Sequence, residues 1–269
     1  MEVAGADLTG GLAGSLVGGL AIADLPLSTV IAGLAVCFLG GIVGGLSGYG
    51  TGLVVAMFIT PIIGPKNLIP VISVMMLINN ASRVWFYRHA LEPGLVLRFS
   101  LASVPAAYVG AEFYIRLESD AIQGLLGAVL IASVPLRRWI ARRQFTPGPL
   151  SLYAIGAVFG FLSSLILGTG MLILPTLMGL GLLGPAVLAT DAAIAVVVNL
   201  SKTVIFGALD ALSLELAVLA LAMGLCTIPG TALASRIVAR TNIRLHTALI
   251  EGLLVIGGTT MLLRALGLF

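Results

Sequence analysis

The chain has 269 residues, of which 59% are hydrophobic and only 9% charged, and its mean hydropathy is +1.16, whereas a soluble domain carries about a quarter charged residues. This excludes a soluble globular domain and leaves an integral membrane protein whose apolar segments follow one another almost without pause. The formal charge of +3 does not point to nucleic acid. The basic residues sit at the ends of apolar runs, Arg137, Arg138, Arg142 and Arg143 most densely and Arg236, Arg240 and Arg244 next, as expected of cytoplasmic loops.

Residues 1–26 precede the first full unit. Glu2 and Asp7 stand where a secretory signal carries Lys or Arg, which argues against a cleaved leader. The run 8–23 is glycine-rich and shorter than a span, so a partial or surface-lying extracytoplasmic helix is expected there. Residues 29–46 form an apolar segment that runs into a glycine-rich break, Gly44-Gly45-Leu46-Ser47-Gly48-Tyr49-Gly50-Thr51-Gly52; the segment 53–63 behind it is too short to cross upright. The two read as a broken or re-entrant hairpin. Spans are then expected at 67–87, at 96–115 with Pro105 inside it, and at 121–139, before an Arg-rich loop and Pro147-Gly148-Pro149.

The same order then repeats. Segment 150–167, a break at Gly168-Thr169-Gly170 and segment 171–182 form a second hairpin, followed by 186–209, by 214–235 with Pro229 as the counterpart of Pro105, and by 246–266. Gly168-Thr169-Gly170 answers Gly50-Thr51-Gly52 at an offset of 118 (168 − 50), and Asn199-Leu200-Ser201-Lys202 answers Asn80-Ala81-Ser82-Arg83 at 119 (199 − 80). The chain is a tandem duplication, with one membrane repeat over 27–143 and another over 144–269. Placing Arg137 to Arg143 in the cytoplasm brings Arg88, His89, Arg98 and Arg236 to Arg244 to the same side, and Glu118, Asp120 and Asp210 to the other. The halves then face opposite ways. The expected fold is all-α and polytopic, with about 8–10 membrane helices in two inverted-topology repeats, each a hairpin plus three transmembrane helices, in the inner or plasma membrane.

In such repeats a substrate site lies near the midplane, where unwound backbone survives only against protein or water. Gly50, Thr51, Gly52, Gly168, Thr169 and Gly170 therefore become candidate ligand contacts, since a helix restarting after glycine offers free N–H groups to an anion; Gly40 to Gly45 read as helix-packing residues. Arg83 and Lys202 are candidate charge partners for an anion, because a cation deep in a span needs a partner or a wet cavity. Asn80, Asn199, Ser82 and Ser201, with Asn79 beside them, supply hydrogen-bonding groups for oxygens. Asp191 is the candidate proton carrier, while Glu112 and Glu251 are expected to pair with arginines.

Cys37 and Cys226 lie inside apolar segments and read as core residues. His89 and His246 have no ligand-spaced partner, and there is no phosphate-loop, zincin or nucleophile-elbow sequence. No metal, cofactor or catalytic residue is expected, and the chain does not read as an enzyme.

The glycine-rich hairpin followed by Asn80-Ala81-Ser82-Arg83-Val84-Trp85-Phe86-Tyr87-Arg88, and its second form from Gly160-Phe161-Leu162-Ser163 through Gly168-Thr169-Gly170-Met171-Leu172-Ile173-Leu174-Pro175 to Asn199-Leu200-Ser201-Lys202, resembles the sulfite exporter TauE/SafE family of membrane permeases. The resemblance implies transport of a small sulfur-containing or organic anion such as sulfite, thiosulfate or a sulfonate. Met57 stands where the second half has Pro175, and Asp191 stands where the resemblance would place a serine. The expected function is a secondary anion transporter working by alternating access and coupled to a proton, with a passive anion channel as the alternative; its partners are a small anion and the lipid bilayer.

Overall fold

In the structure, a computed structural model, residues 26–47, 50–142, 147–237, 259, 262 and 263 are described. The expected N-terminal helix over 8–23, most of the last span at 246–266, Glu251, Arg240, Arg244, Arg143 and the side chains of Arg137, Arg138 and Arg142 lie outside that description. The described residues form α1 (Leu27–Ser47), α2 (Thr51–Ile63), α3 (Pro65–Tyr87), a 3₁₀ turn (Arg88–Ala90), α4 (Pro93–Arg116), α5 (Ser119–Arg142), α6 (Pro149–Ser163), α7 (Gly170–Gly179), α8 (Pro185–Ala208) and α9 (Leu214–Ile237).

Five of these, α1, α3, α4, α8 and α9, are long and apolar enough to cross a membrane. At 1.5 Å per residue, the 13 residues of α2 and the 10 of α7 reach only about 20 and 15 Å of the roughly 30 Å needed. Helix α5 has 24 residues and carries no charge between Asp120 and Arg137. Two expected segments overrun their helices. The run 150–167 stops at Ser163, where the Ser164 and Leu165 amides turn back to Phe161 and Leu162, and 171–182 stops at Gly179 ahead of Gly181 at φ +88°.

The helices α3, α4, α6 and α8 each begin with proline at the first turn, where its missing N–H has no partner to lose and its fixed φ suits the helix. For α3 and α8 the residue before it is glycine at positive φ, Gly64 at +77° and Gly184 at +54°, a backbone region that side chains rarely adopt. Both helices that carry the duplicated motif are thus entered through the same Gly-Pro corner. At the start of α3, the hydroxyl of Tyr114 donates to the Pro65 carbonyl (2.7 Å) and accepts from the Ile69 amide (3.4 Å), while its ring lies edge-on to Phe206. One buried side chain on α4 thereby ties together α3 and α8.

The packing is the same read from either half. Helix α3 packs on α8 at the centre, α1 packs on α9, and α6 packs on α4; α3 also meets α9, and α8 meets α4. Exchanging α1 with α6, α3 with α8 and α4 with α9 maps this pattern onto itself, so each half is completed by helices of the other. The outer seams are backbone-close. A Cβ at Gly41 would run into the Thr227 carbonyl of α9, and one at Gly160 into the Ser103 carbonyl of α4; small residues let membrane helices approach this far. The outward faces are apolar instead: Leu97, Leu101, Tyr108, Val109 and Phe113 on α4 and Val218, Leu221 and Leu225 on α9 are exposed, a surface suited to lipid.

Candidate functional site

The central helices, α3 and α8, each turn one stripe of residues to a common cavity. Ile72, Met76, Asn80 and Arg83 recur at spacings of four, four and three along α3 and line a common cavity, and Asp191, Ala195, Asn199 and Lys202 do the same on α8. That spacing keeps side chains in one column on a helix. The two columns match position by position at the offset of 119 (191 − 72, 202 − 83), so one stripe occurs twice. The remaining wall comes from the breaks: Gly52 at the start of α2, and Ser163, Ile166, Leu167, Gly168, Thr169 and Gly170 between α6 and α7, with Phe159 behind them. The cavity measures about 80 Å³, room for a few waters or one small anion, since a water occupies about 30 Å³ in the liquid.

Arg83 is 3% exposed and Lys202 6%, so neither cation reaches out to a membrane surface. The Arg83 guanidinium donates through Nη1 to Oδ1 of Asn80 (3.0 Å) and through Nη2 to Oδ2 of Asp191 (3.1 Å), an ion pair between the two halves. Accepting from Arg83 fixes the Asn80 amide with its oxygen toward the guanidinium. Its Nδ2 is then left buried without a hydrogen-bond partner, and Asn80 borders the cavity. A buried donor without a partner costs about 1–3 kcal/mol, which a bound acceptor would recover.

Lys202 is held differently. Its Nζ donates to the carbonyl of Ser163 (2.9 Å), the last residue of α6, where unpaired carbonyls and the negative helix end favour a cation. Across the break, after Gly168 at φ +81°, α7 starts at Gly170 and turns its N-terminal end to the cavity. Among the described residues the cavity therefore receives an ammonium, a guanidinium, a free amide and the positive end of a helix, against one carboxylate.

Of the residues singled out in the sequence, Arg83, Lys202, Asn80, Asn199, Gly52, Gly168, Thr169, Gly170 and Asp191 meet around this cavity. Gly50, Thr51, Ser82 and Ser201 do not border it. Ser82 donates to the Asn79 carbonyl (2.7 Å) and Ser201 to that of Val197 (2.9 Å), each bonding back onto its own helix as short hydroxyls do. Thr51 accepts from Nδ2 of Asn79 (3.3 Å), and Oδ1 of Asn79 accepts from Thr231 (3.1 Å), so this pair ties α2 and α9 to α3. The expected Glu112 pairing is local, with Arg116 one turn on (3.0 Å). Among the described residues no group of three or more His, Cys, Asp or Glu could hold a metal.

Fold and site define a polytopic α-helical membrane protein with an internal, predominantly cationic cavity. A family model, Sulfite exporter TauE/SafE, matches residues 31–261. The chain belongs to that family and is a transmembrane transporter, a membrane anion permease. No curated protein and no solved structure matches it.

Proposed function

We propose that the protein is a secondary transporter for a small sulfur-containing or organic anion such as sulfite, thiosulfate or a sulfonate, held in the cavity between α3 and α8 and passed across the cell membrane by alternating access. The observation that carries this reading is Lys202: it is buried, yet among the described residues no carboxylate lies within 4 Å of it, and its hydrogen bond goes to a carbonyl. An uncompensated cation within a span costs about 2.5–3.5 kcal/mol on insertion scales, and an anion in the cavity would offset that cost. Its oxygens would take Nζ of Lys202, the free Nδ2 of Asn80, the amide of Asn199 and the first N–H groups of α7. Ser82, Ser201, Gly50 and Thr51, which lie outside the cavity, would support this set from behind.

The self-matching packing of the two halves supports an inverted repeat, 27–143 against 144–269, in which one half rocks on the other around the fixed site. A proton on Asp191 would release Arg83 to the anion and so couple the two. Trans-stimulated exchange in proteoliposomes tests the mechanism: labelled sulfite or methanesulfonate entering faster when unlabelled anion is inside marks a carrier. Uptake indifferent to internal anion marks a passive channel, and no anion flux overturns the reading. A thermal-shift comparison of sulfite, thiosulfate, sulfonates and carboxylates identifies the substrate, since a ligand bound only by the native state raises apparent stability.

A further inference from the structure

We propose that Asp191 is a built-in counter-ion that sets the valence of the anion, so that the cavity takes a monoanion in preference to a dianion of the same shape. This rests on the anion-binding reading above.

The charged side chains bordering the cavity among the described residues are Arg83, Lys202 and Asp191. Asp191 is spent on Arg83, at 3.1 Å with both side chains below 5% exposure. Lys202 has no such partner within 4 Å among the described residues. The duplication explains the difference. The position equivalent to Asp191 in the first half is Ile72, which faces the same cavity. A cation stands in both copies of the stripe, whereas the carboxylate stands in one. With Asp191 ionised in its pair with Arg83, the two positive charges and one negative charge among the described residues leave a single positive charge to be met by the ligand. A monoanion closes the count, whereas a dianion leaves one negative charge over. One unit charge a few ångströms away is worth more than a tenfold change in affinity at the effective dielectric of a protein. Asn80 and Asn199 do not discriminate valence, since a neutral donor serves either anion.

Methanesulfonate and sulfate test this, being tetrahedral anions of nearly the same size that differ by one charge. Their dissociation constants are measured by titration calorimetry on the purified full chain, as wild type, Asp191→Asn and the double variant R83Q/D191N. The wild type is expected to bind methanesulfonate about tenfold or more tighter than sulfate. Asp191→Asn, which takes the described carboxylate out of the cavity, reverses that order, and R83Q/D191N, which removes the pair as a unit, restores it. Because Asp191→Asn takes the carboxylate from a buried guanidinium, the double variant decides alone if the single one does not fold: methanesulfonate preferred supports the inference, sulfate preferred overturns it. An unchanged ratio in Asp191→Asn also overturns it while leaving the anion site standing. Failure of the wild type to bind either anion overturns the site itself and the inference with it.

Discussion

Asn79 and Asn80, neighbours in sequence, serve opposite sides of α3: Asn79 bonds Thr51 of α2 and Thr231 of α9, whereas Asn80 bonds Arg83 and turns its unpartnered Nδ2 to the cavity. Successive residues on a helix point about 100° apart, so one doublet can hold the scaffold and the site at once. Asn79→Ala removes the amide that joins three helices and is expected to cost about 1–3 kcal/mol of stability. Asn80→Ala costs about 1 kcal/mol or less, since Arg83 keeps Asp191, and lowers anion affinity by about tenfold. Thermal unfolding and anion titration on both variants check the split; equal loss of stability with equal loss of affinity would contradict it.

The ion pair between Arg83 and Asp191 makes its members interdependent. Removing one partner of a buried pair leaves an uncompensated charge and costs about 3–5 kcal/mol, while removing both costs much less. Arg83→Gln and Asp191→Asn are each expected to lower the unfolding temperature in detergent, and R83Q/D191N to recover much of the loss. Additive losses in the double variant would show that the two residues do not interact.

The outer seams offer an equivalent pair of tests. Gly41 against Thr227 and Gly160 against Ser103 leave no space for a side chain, because the facing atoms are backbone. Gly41→Leu and Gly160→Leu are each expected to destabilise by about 2 kcal/mol or more, read as loss of monodisperse protein in size-exclusion chromatography. Gly94, on the same helix as Ser103 but with nothing within reach of an added Cβ, is the control: Gly94→Ala leaves the profile unchanged.

How far the sequence could be read follows from the same residues. The polar motif showed itself because Asn, Arg and Lys stand out in an apolar chain, and because it recurs at an offset of 119 (199 − 80). The rest of each stripe did not: Ile72, Met76 and Ala195 look like any lipid-facing residue, although the offset of 119, carried two turns up the helix, would have reached them and set Asp191 opposite Ile72. The partner of Arg83 lies 108 positions away, a distance no local pattern spans. Ser82 and Ser201 share the motif but not the cavity, because two residues beyond Asn80 and Asn199 the helix has turned about 200°. The Gly64-Pro65 and Gly184-Pro185 corners were present as a repeat and carried the entry geometry of both central helices.

The central claim is that the cavity between the two stripes holds the transported anion against Lys202. Initial uptake of labelled sulfite into proteoliposomes, compared between wild type and Lys202→Gln at equal reconstituted and monodisperse protein, tests it most directly. Saturable uptake by the wild type and a loss of about tenfold or more in the variant is the predicted result; uptake by Lys202→Gln equal to that of the wild type would contradict the account.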